Sequence, residues 1–340
     1  MIFLLLLLLA SLGIAQPVET CNADDSRALR QSGREAFQKR HYDAAAEQFR
    51  RALDACPTER GILLEISQAQ AHRRQFTEAI AAAQQFLAQE PTSLQGRLAL
   101  ADAYFMAQRF ADARAQADQI LKQEPRNPAA LKIKGNVQYL TGDFTHAQDT
   151  FIELLDGHAD DEEAAYMLGR IYYQEGRIDY AMGQFQRVLK INPQSYKAYD
   201  NLGLCYQARS ENETATRYFL TAIKLVEKDH PEYDWPYANL ANLLLDSGDA
   251  GKAFAAASKA ADRNPYSARN FYIGGKALCK LEKTDLCINW LERSVSIDPN
   301  YAEPLYLLSK IYAQSGQEQK AKHALEKFRE AKAREPAIKR

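Results

Sequence analysis

The chain has 340 residues, 46% of them hydrophobic, which is ample for a large core. Its 43 basic and 44 acidic side chains leave a net charge of −1, so no Lys/Arg surplus exists to drive nucleic-acid binding. With 16 glycines and 12 prolines it is neither collagen-like nor of low complexity.

Residues 1–15 differ from the rest. Met1-Ile-Phe leads into the leucine run Leu4 to Leu9, then Ala-Ser-Leu-Gly13-Ile-Ala15. This run is shorter than the about 20 residues that span a bilayer. Gly13 and Ala15 stand at the −3 and −1 places of a signal-peptidase cut before Gln16. The segment therefore reads as a signal peptide that exports the chain to a periplasm or the extracellular space. The alternative is an uncleaved N-terminal anchor, the only case in which membrane contact is expected. Val18-Glu19-Thr20 before Cys21 is not a lipobox. Residues 16–25 form a short leader to the folded region.

From residue 26 to residue 335 the sequence repeats with a period of 34. Pro57, Pro91 and Pro125 are 34 apart, Pro193 follows two periods later, and Pro265 and Pro299 are again 34 apart. Each is preceded twelve residues earlier by a small side chain: Ala45, Ala79, Ala113, Ala181, Ala253 and Cys287. Ala147, Ala215 and Ala321 fill that slot in the units without the proline. A second small slot lies twelve residues further back, at Gly33, Ser67, Ala101, Gly135, Gly169, Gly203, Ala241, Gly275 and Ser309. The count closes with nine units and one four-residue insertion near Glu227–Trp235. That divides the array into residues 26–233, units one to six, and 234–335, units seven to nine, with 336–340 as a tail. The insertion is expected to lengthen the preceding helix or its exit loop. From Glu318 onward the chain is Lys/Arg-biased, as a polar cap on the last unit would be.

Each unit carries two apolar stretches at helical spacing. In the fifth, Leu168, Ile171 and Tyr172 mark one helix, Ala181, Phe185 and Val188 the next, and Glu175-Gly176-Arg177 turns between them. The small slots let backbones approach, and the proline ends the second helix. A lone hairpin cannot bury its apolar face, so the hairpins must stack.

The unit Tyr172…Gly176-Arg-Ile-Asp-Tyr-Ala181…Phe185…Pro193 resembles the tetratricopeptide repeat, as does Leu202-Gly203-Leu-Cys-Tyr206…Ala215…Phe219. The resemblance implies an all-α fold, a right-handed α-solenoid superhelix of helix-turn-helix repeats. Ala83, Ala117, Ala257 and Leu291 stand where the family has an aromatic residue in helix two, and are expected to thin the packing there. Such a fold places Cys21 and Cys56 at the same end of the first hairpin, and Cys279 and Cys287 across one tight turn. Both pairs are disulfide candidates, leaving Cys205 free. The alternative is that these cysteines are small apolar fillers.

No HExxH, GxSxG, Walker loop or GxGxxG occurs, so neither catalysis nor a cofactor or metal is expected. Asp160-Asp161-Glu162-Glu163 reads as a solvated helix start, and Gly274-Gly275 as a packing slot. The resemblance instead implies a scaffold whose first helices line a concave groove for a protein or an extended peptide, with no small-molecule substrate. Helical spacing nominates Lys132, Asn136, Tyr166, Arg170, Lys197, Asn201, Asn239 and Asn242 for that groove. Lys132, Asn136 and Lys197 resemble a carboxylate clamp, with Met167 and Asn201 departing from it. Asn201 and Asn239 resemble the asparagine ladder of O-linked N-acetylglucosamine transferases, an amide being both donor and acceptor. Replacing both by alanine is expected to weaken binding and leave stability unchanged. Phe105, Tyr139 and Tyr173 form a 34-spaced aromatic stripe, read as packing between units. The alternative to the groove is a structural subunit of an envelope or secretion assembly, contacting partners through its convex face and termini.

Overall fold

The computed structural model describes residues 21–334, so the signal segment and the tail at 336–340 lie outside the described residues. The described chain forms two units, one through Val137 and one from Gln138. The division falls inside a helix of the fourth repeat. The first unit contains α1 (Ala23–Gln38), α2 (Tyr42–Ala55), α3 (Ile62–His72), α4 (Phe76–Gln89), α5 (Leu94–Met106), α6 (Phe110–Gln123) and most of α7 (Pro128–Leu140). The second continues with α8 (Phe144–Gly157), α9 (Glu162–Gln174), α10 (Ile178–Ile191), α11 (Tyr196–Ala208) and α12 (Asn212–Asp229). Then come α13 (Trp235–Asp246), α14 (Ala250–Arg263), α15 (Ala268–Lys280), α16 (Thr284–Ile297), α17 (Ala302–Gln314) and α18 (Glu318–Arg334). Odd-numbered helices are the first of each repeat and even-numbered helices the second. No strand occurs among the described residues.

Every hairpin turns in the same way. Left-handed residues stand at Arg40, Arg74, Gln108, Gly142, Gly176, Ser210, Gly248, Glu282 and Gly316. Their 34-residue spacing is broken once, by the insertion. The residue after each closes back onto the first helix, as in Arg177 N–H to Tyr172 C=O at 2.8 Å, the Schellman arrangement that satisfies terminal carbonyls. Only four of these positions are glycine, so the turns cannot be found by glycine alone.

The small slots of the first helices face the aromatic slots of the second. A Cβ at Gly33, Gly169 or Gly203 would lie 2.6, 2.7 or 2.5 Å from the ring of Phe49, Phe185 or Phe219. At Gly275 the neighbour is Leu291, 2.7 Å away. Where helix two has alanine instead, at Ala83, Ala117 and Ala257, the matching first-helix residue is Ser67, Ala101 or Ala241, and all six are buried. Ser67 Oγ also donates to the Ala79 carbonyl at 2.8 Å. The smaller side chains are thus sealed from solvent despite the missing ring. The volume lost on one helix is partly returned on the other, as close-packed interiors demand.

The insertion extends a helix. The second helices α8, α10, α14 and α16 have 14 residues each, whereas α12 has 18. Its extra turn is secured by Tyr237, whose hydroxyl meets Glu227 at 3.2 Å, and by Arg263, which donates to the His230 and Pro231 carbonyls at 3.0 and 3.1 Å. Cys21 is bonded to Cys56, and Cys279 to Cys287, while Cys205 is a buried free thiol that burial pushes up to about 12. The first bridge ties the start of α1 to the end of α2, and the second ties α15 to α16 across their turn.

Candidate functional site

The nominated side chains stand on first helices, but helical phase sorts them into three groups. The slot that aligns Met167, Asn201 and Asn239 faces the neighbouring helices. Met167 is 8% exposed and Asn239 only 2%. Asn239 donates through Nδ2 to Asp200 Oδ1 at 2.8 Å and accepts at Oδ1 from Arg269 Nη2 at 2.7 Å. Both amide groups are thereby engaged inside the protein. The expectation that Asn239 can be removed without loss of stability is corrected: truncation strands a buried carboxylate and a half-buried guanidinium. Asn201 is half-buried, its Nδ2 donating to the Tyr166 hydroxyl at 3.2 Å and to the Lys197 carbonyl at 2.9 Å.

The buried chain continues through α13 and α15. Asn270, fully buried, donates to Asp234 Oδ2 at 2.6 Å and to the Ala260 carbonyl at 3.0 Å. Burial pushes the Asp200 carboxyl up to about 7, with Asp234 adding to the rise and Asn239 and Arg269 opposing it. Burial likewise weakens the hold of Arg269 on its proton and raises the Tyr166 hydroxyl. This network joins the first helices of the sixth, seventh and eighth repeats, and nothing in the sequence pattern marks Asp200 or Asp234 as buried.

The second group, Tyr166 with Arg170, Tyr272 with Lys276 and Tyr306 with Lys310, lies one residue before and three after that slot, the earlier place being the buried Asp200 in the sixth repeat. The Arg170 guanidinium lies 4.8 Å from the Tyr139 ring centroid and 6.0 Å from that of Tyr166. Lys276 lies 5.4 Å over Tyr272 and Lys310 4.4 Å over Tyr306, in the same two slots. Such i,i+4 cation–tyrosine pairs hold each cation at the surface by quadrupole attraction. Lys197 is exposed and Asn242 half-buried on this face. Lys132 and Asn136 are half-buried on α7 of the first unit, and both have partners. The structure thus brings Tyr166, Arg170, Lys197 and Asn201 together, withdraws Asn239 into the interior, and leaves Asn242 half-buried on α13.

The third group is the aromatic stripe. Phe105 packs on Phe110 with centroids 6.0 Å apart, and Tyr139 on Phe144 at 5.4 Å, so these rings close their own hairpins, and Tyr139 also meets Arg170 of the next repeat.

Each unit also has a cavity among its first helices. One of about 370 Å³ lies between α3 and α5, over Leu64, Leu98, Ala99 and Met106, with Gln68 and Asp102 at its edge. The other, of about 320 Å³, lies among α15, α17 and α18. Among the described residues no three His, Cys, Asp or Glu side chains assemble as a metal site, and no helix is long and apolar enough to cross a membrane. Asp161 caps α9, its carboxylate accepting from the Ala164 N–H at 2.9 Å.

Comparison with known proteins agrees with this architecture. Tetratricopeptide repeat models match residues 30–93, residues 70–137 with 139–203, and residues 302–332, together more than half of the chain. No curated protein matches it. The Cut9–Hcn1 hetero-tetramer of the APC/C superposes with a TM-score of 0.66 at 16% identity, over 85% of this chain and 57% of that one. This chain thus spans little more than half the length of that neighbour. A tetratricopeptide repeat protein from Parabacteroides merdae ATCC 43184 gives 0.51 at 18% identity, over 85% of this chain and 98% of that one. At such identities the likeness is one of fold. With eighteen described helices in consecutive pairs and repeat models over most of the array, the chain belongs to the tetratricopeptide repeat family, a repeat that implies a scaffold for protein–protein interaction.

Proposed function

We propose that this protein is a non-catalytic, exported scaffold that takes an extended segment of a partner protein on the face formed by its first helices. The observation that carries this reading is the row of cation–tyrosine pairs on that face, Arg170 with Tyr166, Lys276 with Tyr272 and Lys310 with Tyr306. The tyrosine rings offer apolar area of a kind enriched at interfaces, and each cation held over a ring adds charge at a fixed place. Export rests on residues 1–15 and on two disulfides, which persist in oxidising compartments. Crosslinking in cells, with mass spectrometry of captured peptides, tests the reading. Partner crosslinks are expected at Lys197, Lys276 and Lys310. Crosslinks confined to Lys190, Lys224 and Lys252 on second helices would overturn it.

A second reading has its own observation. Ile152, Leu220 and Leu286, all on second helices, are 36%, 50% and 48% exposed. They suit an assembly subunit contacted on the opposite face, the case in which charge reversal on the first helices leaves assembly intact.

A further inference from the structure

The cavity among α15, α17 and α18 has a definite chemistry. Tyr272 and Lys276 of α15, Tyr306, Leu307 and Lys310 of α17, and Phe328 of α18 line it. The Phe328 ring lies 5.2 Å from that of Tyr306, and Leu307 adds a further apolar side chain to the lining. About 320 Å³ is at the small end of ligand pockets and accommodates one large apolar side chain.

The polar rim is basic and unspent. Neither Lys276 nor Lys310 has a carboxylate within ion-pair distance among the described residues; each ammonium sits over a tyrosine ring instead. The other charges at this cavity are already engaged. Lys280 donates to the Leu245 carbonyl at 2.8 Å, and Glu303 lies 3.9 Å from Lys332. A chain of net charge −1 thus presents a local cationic rim around an apolar floor. Desolvating two unpaired ammonium groups is costly unless an anion meets them, so a neutral or basic partner is disfavoured there. Cys279, also at the cavity, is bonded to Cys287, which fixes the end of α15 beside it.

We infer that this cavity is a docking site for an extended acidic segment of a partner protein that inserts one aliphatic or aromatic side chain between Tyr272 and Phe328 and sets its carboxylates against Lys276 and Lys310. This rests on the first-helix reading above and adds the partner's chemistry and the place where it is read. Apolar insertion sets the position, and the two lysines set the sign of the flanking charge.

The test is titration of the full chain into a fluorescein-labelled peptide with acidic residues on both sides of one leucine, followed by anisotropy. Saturable binding is expected, weakening as salt rises. Lys276→Glu with Lys310→Glu is expected to weaken it by tenfold or more, while the circular dichroism and melting temperature stay native. The milder Lys276→Gln with Lys310→Gln should fall between. Replacing the peptide's leucine by serine should cost a similar factor. Equal binding by the charge-reversed protein, by the serine peptide or by a lysine-flanked leucine peptide overturns the inference, as does the absence of saturable binding. If the peptide fails while cellular crosslinks still fall on Lys197, Lys276 and Lys310, this inference is wrong and the first-helix reading stands. If the peptide binds as expected while crosslinks fall on second helices, the reading of the native partner is at fault instead.

Discussion

The cavity of the second and third repeats and that of the eighth and ninth occupy the same slots of the same frame, yet differ in chemistry. Leu64 and Gln68 on α3 stand where α15 has Tyr272 and Lys276; Leu98 and Asp102 on α5 stand where α17 has Tyr306 and Lys310. In the first, Glu65 is engaged by Arg30 and Arg34 at 2.6 Å each, and the edge is lined by the uncharged Gln68 and by Asp102, which has its own partner. In the second, two lysines remain. The frame is the same because it is set by residues neither cavity displays: the buried small and large slots where helices cross, and the left-handed residue that turns each hairpin. Outward slots are released from packing, and so carry whatever chemistry a partner requires.

The largest effect that would break this separation of frame from surface lies in the core pairs. Phe219→Ala is expected to cost about 3–5 kcal/mol through the lost contacts and the cavity left behind. Gly203→Ala alone should cost about 1–3 kcal/mol, since its Cβ meets the Phe219 ring. The double variant should be more stable than the sum of the two predicts, because alanine facing alanine is the arrangement of the third and seventh repeats. Urea denaturation of the three variants measures this; strict additivity would refute the exchange of volume between helices.

Next in size is the buried network, through Asp200. Its carboxyl is raised by burial to about 7 from 3.8, so between those values the folded protein holds a proton that the unfolded chain releases. Stability is then fully present below about 4 and falls as pH rises through 7. Asp200→Asn, which keeps an acceptor for Asn239, should flatten that decline and melt higher than the native protein at pH 8. Parallel melting profiles from pH 4 to 8 for both proteins would show that the carboxyl ionises freely.

The comparison of the two cavities is sharpened by transplantation. Gln68→Lys with Asp102→Lys, together with Leu64→Tyr and Leu98→Tyr, rebuilds the C-terminal pairs in the N-terminal slots. A second site for the acidic peptide is expected, within about tenfold of the first, or about 1.4 kcal/mol, read as a stoichiometry rising from one to two by calorimetry. A stoichiometry that stays at one would show that α18, with Phe328, is indispensable.

The smallest effects lie in the turns. Arg74→Gly and Glu282→Gly relieve left-handed strain at φ 62° and 59°, and should each stabilise by about 0.5–1 kcal/mol. Gly176→Ala should destabilise by about 1 kcal/mol for the converse reason.

The period of 34, the nine hairpins, the tetratricopeptide resemblance and the positions of the cysteines relative to helix ends could all be read from the sequence alone, because each rests on local spacing that a helix converts directly into geometry. The surface residues were harder. Tyr166, Arg170 and Lys197 were nominated because helical spacing places them on a common stripe. Asn239 was misplaced because its slot faces the neighbouring helices, where Asp200 and Arg269 take up both its amide groups. The burial of Asp200 and Asp234, the coupling of Gly203 to Phe219 and the cavity closed by Phe328 on α18 depend on residues of separate helices, the first tens of positions apart. Periodicity determines which face of a helix is buried; only the packing of one helix against the next decides what each buried atom meets.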